Sequence, residues 1–213
     1  MNIVRRMLLL TPVLLSALPL ACAQAQADDR YVIYLHARIA EEGGRRPTDS
    51  LYGTYEFDAI LDSLRQAGFE VLSDQRPPGL AIDTFVTALM HQVDSLLASG
   101  VPPENITVVG FSRGSAIAML ASSRLQNPAL GFVFIAGCGP WAFDDTNIRV
   151  TGRMLSLYET SDSLGVSCKP LFARAGEGSK AGETALSLGL GHGTFYRPRR
   201  EWLEPVIAWA NAD

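Results

Sequence analysis

Gly110-Phe111-Ser112-Arg113-Gly114 is the stretch of this chain best suited to chemistry. Ahead of it, Asn105 to Val109 is apolar and β-branched, as in a short buried strand. Behind it, Ser115 to Ala121 carries small and unbranched side chains, as in a buried helix. A strand, a sharp Gly-x-Ser-x-Gly turn and a helix make a nucleophile elbow, with glycines for the tight turn and the serine hydroxyl clear of the sheet. The N–H of Arg113, at a helix N-terminus, would face negative charge developing on a substrate oxygen. The pentapeptide alone also fits an ordinary glycine-bounded connection, so the case depends on what else the chain supplies.

An activated serine needs a base, and that base is usually a histidine oriented by a carboxylate. The chain has three histidines. His91 falls roughly 200° around a helix from its apolar face, as a solvated residue would. His36 ends the first apolar strand. His192 lies in Gly189-Leu190-Gly191-His192-Gly193, a glycine-rich turn late in the chain. Elbow enzymes run in the order serine, acid, histidine, and only His192 follows Ser112. The acid must lie between them, among Asp144, Asp145, Glu159, Asp162, Glu177 and Glu183. Asp162, in Tyr158-Glu159-Thr160-Ser161-Asp162, is preferred because it follows a strand at the sheet end that would carry the site. Glu159 is the next choice. In these roles Ser112 attacks an acyl carbon, His192 moves the proton and Asp162 orients the imidazole. Arg113 supplies one oxyanion N–H, and the loop after the first strand supplies the second, at Ala37 or Arg38.

The elements that must position these residues read as alternating strands and helices. Tyr31 to His36 is a nearly continuous apolar run, as in a strand buried on both faces. Ala37 to Gly53 is polar and reads as a long loop. Phe57, Ile60, Leu61 and Leu64 share a helical face, with Thr54 as a candidate cap and Gly68 at the end. Phe69 to Ser73 reads as a second strand. Asp83 would cap a helix whose buried face is Val86, Leu89, Val93 and Leu96 or Leu97. Gly131 to Ala136, Arg153 to Tyr158 and Thr184 to Leu188 complete the strands. Trp202, Val206 and Trp209 share a last helical face, where Pro205 implies a kink or a late start. The alternation predicts a three-layer α/β/α sandwich with a mostly parallel sheet, whose site lies beyond the carboxyl ends of the strands. Trp141, Phe143, Phe195 and Tyr196 read as exposed aromatics that pack loops or line a substrate site.

Composition narrows the class. Arg5-Arg6, the apolar run from Met7 to Leu20 and the small residues Ala21 to Ala27 have the layout of a secretory signal peptide, residues 1–27. Ala-x-Ala cleavage options end at Ala23, Ala25 or Ala27, and Cys22 gives only a poor likeness to a lipidation site. The remainder, 28–213, suits one domain with a real core. Removing residues 1–27 takes the net charge from −4 to −6, which argues against nucleic acid as a main partner. The remaining cysteines, Cys138 and Cys168, favour a disulfide in an exported protein; two buried thiols are the alternative. No Cys/His cluster has metal-ligand spacing, and neither a metal nor an organic cofactor is expected.

Taken together, Leu35-His36, Val109 to Gly114, Tyr158 to Asp162 and Gly189 to Gly193 resemble the α/β-hydrolase superfamily, in particular its small exported bacterial members. The likeness extends over essentially Tyr31 to Trp209. It implies a reduced α/β-hydrolase fold, and Gly137 to Val150 is too short for a substantial lid. Many relatives follow the strand-end histidine with glycine, where this chain has Ala37. The resemblance implies a periplasmic or secreted serine hydrolase that cleaves a carboxylic ester or similar acyl bond in a small-molecule substrate. A peptidase or amidase on the same triad, and a non-catalytic binding protein on this scaffold, are the alternatives.

Overall fold

The computed structural model describes residues 29–212. The expected signal peptide, with Cys22, lies outside the described residues. Strand β1 (Tyr31–Leu35) leads to a short helix α1 (Arg38–Gly43) and a two-stranded antiparallel pair, β2 (Thr48–Asp49) and β3 (Gly53–Thr54). The segment expected to be one long loop is therefore partly ordered. Helix α2 (Phe57–Gln66), strand β4 (Glu70–Leu72), helix α3 (Ile82–Ala98) and strand β5 (Ile106–Phe111) follow. Next come helix α4 (Arg113–Leu125), strand β6 (Gly131–Ile135), helix α5 (Pro140–Asp144), strand β7 (Arg153–Glu159), helix α6 (Lys169–Phe172), strand β8 (Lys180–Leu186) and helix α7 (Arg200–Asn211).

Six strands form one sheet in the order β4-β1-β5-β6-β7-β8, and every neighbouring pair is parallel. Each strand sends alternate side chains to opposite faces. Val32, Tyr34, Val109, Phe111, Val133 and Ile135 pack against Phe57, Ile60, Leu61 and Leu64 of α2 and Trp202 and Val206 of α7. Ile33, Ile106, Val108, Phe132 and Phe134 pack against Phe85, Val86, Leu89 and Val93 of α3 and Ile117, Ala118 and Met119 of α4. Both faces are covered, which is why the strands read as unbroken apolar runs.

The connection from β1 moves outward to β4, and the next one moves back across to β5. With right-handed crossovers, α2 and α3 must then lie on opposite faces, as they do. The order reverses between β1 and β5, so their carboxyl ends border a crevice. Leu35 pairs with Gly110 there. The residues after both strands, Ala37-Arg38 and Ser112, meet at that crevice.

Several local expectations are corrected. Thr54 does not cap α2: it lies in β3, and its hydroxyl bonds that of Thr48 at 3.0 Å. Asp83 is inside α3 rather than at its cap, and its carboxylate takes Arg124 Nη2 at 2.6 Å. Strand β8 begins at Lys180, four residues before the expected Thr184, and the last residues assigned to it are outside it. Helix α7 runs continuously through Pro205. Phe195 and Tyr196 are buried at 1% and 4% exposure, whereas Trp141 is exposed.

Candidate active site

Ser112 stands between β5 and α4 with φ 53° and ψ −114°, a conformation an L-residue adopts only under constraint. Its N–H donates to Ile135 O at 2.8 Å, and its carbonyl accepts Ala116 N at 3.1 Å, so both ends of the turn are held. The flanking glycines are required by space. A Cβ on Gly110 would fall 2.4 Å from Gly114 O, and one on Gly114 would fall 2.0 Å from Leu35 O. The close approach of α4 to β1 and β5 depends on both.

His192 lies in a buried 3₁₀ turn, Gly191–Phe195, after β8. Its Nδ1 is 2.7 Å from Asp162 Oδ2, so the hydrogen on Nδ1 is directed at the carboxylate and Nε2 is left as the basic atom. The ring packs 4.8 Å from Phe111, 5.9 Å from Tyr52 and 6.4 Å from Tyr196, centroid to centroid. Asp162 Oδ1 also accepts Leu164 N at 2.8 Å. Position and orientation of the imidazole are thus set by one carboxylate and three aromatic rings.

Glu159, the other acid considered, points elsewhere. It is fully buried and accepts the N–H groups of Leu188 at 2.9 Å, Gly189 at 3.3 Å and Ser161 at 3.4 Å, with the Thr194 hydroxyl at 3.3 Å. Burial raises its pKa, but these backbone and Ser161 hydroxyl donors outweigh that, and the carboxyl is held below its ordinary value. Glu159 ties the histidine loop to the end of β7.

A cleft of about 230 Å³ joins the two halves. Ser112, His192 and Tyr196 line it together with Ala37, Arg38, Ile39 and Glu42 of the α1 segment, Asp49 and Tyr52 of the small hairpin, and Leu164. Arg38 is the first residue of α1, where a helix leaves its N–H groups without intrahelical acceptors. Burial, followed by Asp49, Tyr52 and Asp162, raises the Tyr196 hydroxyl to about 12, so it faces the cleft protonated. Tyr52 and Leu164 carried no sequence signal as site residues. An aromatic in a polar loop and an exposed leucine are placed here only by the way three loops converge.

Cys138 and Cys168 form a disulfide with Cα atoms 5.3 Å apart. It fastens the segment after β6 to the start of α6, and Cys138 also bridges Val166. Asp162 lies in the segment this crosslink restrains. His91 is exposed on α3 and His36 is fully buried, so neither shares the cleft.

No protein-family model matches the chain. A curated acetyl-hydrolase from Streptomyces hygroscopicus is 28% identical over 119 residues, a match that takes in 55% of this chain but only 38% of that protein. Among solved structures, a Klebsiella pneumoniae protein assigned as a dienelactone hydrolase superposes with a TM-score of 0.59 at 14% identity, covering 89% of this chain and 90% of that one. SOBER1 of Arabidopsis thaliana gives 0.54 at 14% identity, over 85% and 97% of the two chains. An alpha/beta hydrolase enzyme from a sediment metagenome of the Mar Chica lagoon, Morocco, gives 0.57 at 15% identity, over 85% and 90%. With its parallel sheet, covered on both faces, and its strained serine turn after β5, the chain has the α/β-hydrolase fold.

Proposed function

We propose that this protein is an exported serine hydrolase that cleaves small acyl esters through Ser112, His192 and Asp162. The observation that supports this reading most is the 2.7 Å contact of His192 with Asp162, in a cleft that Ser112 also lines. His192 Nε2 takes the proton of Ser112 as its Oγ attacks the acyl carbon, and Asp162 stabilises the imidazolium that forms. The proton then passes to the departing alcohol, leaving an acyl-serine that water, activated by the same imidazole, hydrolyses. The tetrahedral oxygen is held by the Arg113 N–H and by a second N–H from the α1 segment. Ala37, at the N-cap of α1, and Arg38, its first residue, are the candidates for this second donor, and the N–H of Arg38 has no intrahelical acceptor.

The small open cleft favours a short acyl group, and the resemblance to an acetyl-hydrolase points the same way. Export is supported by the sequence of residues 1–27 and by the disulfide. Fluorophosphonate labelling of the chain without residues 1–27, read by intact mass, tests the reading. One adduct, lost in Ser112→Ala, is the expected result, with turnover of p-nitrophenyl acetate lost alongside it. Peptide amides assayed in parallel separate an esterase from a peptidase. A folded chain that takes up no label would refute the mechanism and favour a binding protein.

A further inference from the structure

Beneath the α1 side of the cleft lies a charged cluster that the chemistry above does not use. Glu41 of α1 is 5% exposed and Arg76, from the loop after β4, is 7% exposed. Arg76 Nε donates to Glu41 Oε1 at 3.0 Å, and Arg113 Nε lies 3.2 Å from the same oxygen. Arg76 also donates its backbone N–H to His36 Nε2 at 2.8 Å, and its guanidinium reaches the His36 carbonyl. His36 Nδ1 bonds Ala37 O at 2.8 Å. The neutral tautomer with its hydrogen on Nδ1 satisfies the Ala37 O and Arg76 N–H contacts, while Arg76 Nη2 lies 3.3 Å from Nδ1. The cluster therefore holds one negative charge between two positive ones.

Three segments meet on that carboxylate: α1, which begins at Arg38; the loop after β4; and the elbow, through Arg113. Two guanidiniums on one buried carboxylate stay together only while its charge is present, since like charges repel and water is scarce there. Arg113 is 28% exposed on its side chain and has a route to solvent once released. Its remaining anchor is Nη2 on Leu80 O at 3.1 Å.

We infer that Glu41 is a positioning residue for the oxyanion site, tying α1 to the elbow so that the Arg38 and Arg113 N–H groups converge on one point. The inference rests on the serine-hydrolase reading above. Glu41 touches no substrate; it acts through the two segments it joins. A donor displaced by about 1 Å weakens transition-state binding by as much as about 100-fold while leaving ground-state binding nearly unchanged.

The test compares the parent, Glu41→Gln, Glu41→Asp and Ser112→Ala on p-nitrophenyl acetate, with inhibition by a trifluoromethyl ketone measured beside the kinetics. Glu41→Gln keeps the shape and one acceptor oxygen but removes the charge. Its kcat is expected to fall about 10- to 100-fold with KM within about twofold. The ketone, whose tetrahedral adduct places an oxyanion at the same point, should lose affinity by a similar factor, and Glu41→Asp should recover part of both. Arg113→Met approaches the same tie from the elbow and leaves the Arg76–Glu41 pair in place, so it serves if Glu41→Gln does not fold. It should lower kcat in the same way, with Arg113→Lys restoring most of it. A lowered melting temperature with kcat and ketone affinity unchanged would make Glu41 a structural ion-pair residue only and overturn the inference. Ser112→Ala activity equal to the parent overturns the hydrolase reading and this inference together; Ser112-dependent activity unmoved by the Glu41 and Arg113 variants overturns this inference alone.

Discussion

Asp162 Oδ2 lies 2.7 Å from His192 Nδ1, with the two side chains 0% and 5% exposed. Glu159, three residues before Asp162, is equally buried and bonds backbone N–H groups instead. Glu159 at the end of β7 and Asp162 in the turn after it thus have separate partners, and this separation can be measured.

Asp162→Asn is expected to lower kcat by roughly 10³- to 10⁴-fold through loss of imidazole orientation and charge, while unfolding changes little. Glu159→Gln should do the reverse. It places an amide N–H₂ among donors that need an acceptor, and stability should fall by about 2–4 kcal/mol. Urea denaturation beside steady-state kinetics separates the two, and a Glu159→Gln variant as stable as the parent would contradict the assignment.

Gly114→Ala puts a methyl 2.0 Å from Leu35 O, a backbone atom that cannot step aside. The expected outcome is a chain that fails to fold or loses more than about 3 kcal/mol. Gly189→Ala is the control, since open space surrounds its Cβ position; its φ of +71° predicts a smaller loss, from backbone strain alone. Circular dichroism with thermal melts reads both.

Reduction of Cys138–Cys168, or its replacement by two alanines, releases a loop closed over 30 residues. In the chain-entropy model this lowers stability by about 3–4 kcal/mol. Because the crosslink restrains the segment that carries Asp162, proteolysis between β7 and α6 should accelerate in the reduced protein. Equal cleavage rates in both redox states would count against that link.

His36 is held well below its ordinary value of 6.5, at about 4, first by burial and then by Arg76. Between those two values the unfolded chain binds a proton that the folded chain refuses. The contribution is complete above about pH 6.5 and is lost as the pH falls toward 4, by up to about 3 kcal/mol. An NMR titration of the imidazole should show no protonation of His36 above pH 5. A transition near pH 6.5 in the folded protein would contradict the buried neutral tautomer.

Much of the scaffold was legible because its signals are local. Continuous apolar runs mark strands covered on both faces, and the repeats at Phe57, Ile60, Leu61 and Leu64 and at Val86, Leu89 and Val93 mark the helices between them. The elbow could be read because only glycine fits at 110 and 114. Thr54 and Asp83 do not cap because they have other partners, a choice between competing hydrogen-bond partners that local sequence does not encode. The loop after β1 hid a helix and a hairpin, since six- and two-residue elements are too short to establish a periodicity.

By itself the sequence determined the α/β class, the serine turn and a histidine after it, because these depend on residue type and order along the chain. Only the tertiary structure decided that Asp162 rather than Glu159 meets His192, that Tyr52 and Leu164 border Ser112, and that Glu41 lies between two arginines. Those are contacts between segments 30 or more residues apart. Their partners are fixed by strand order and by which charges burial forces together, and neither is written in any local pattern.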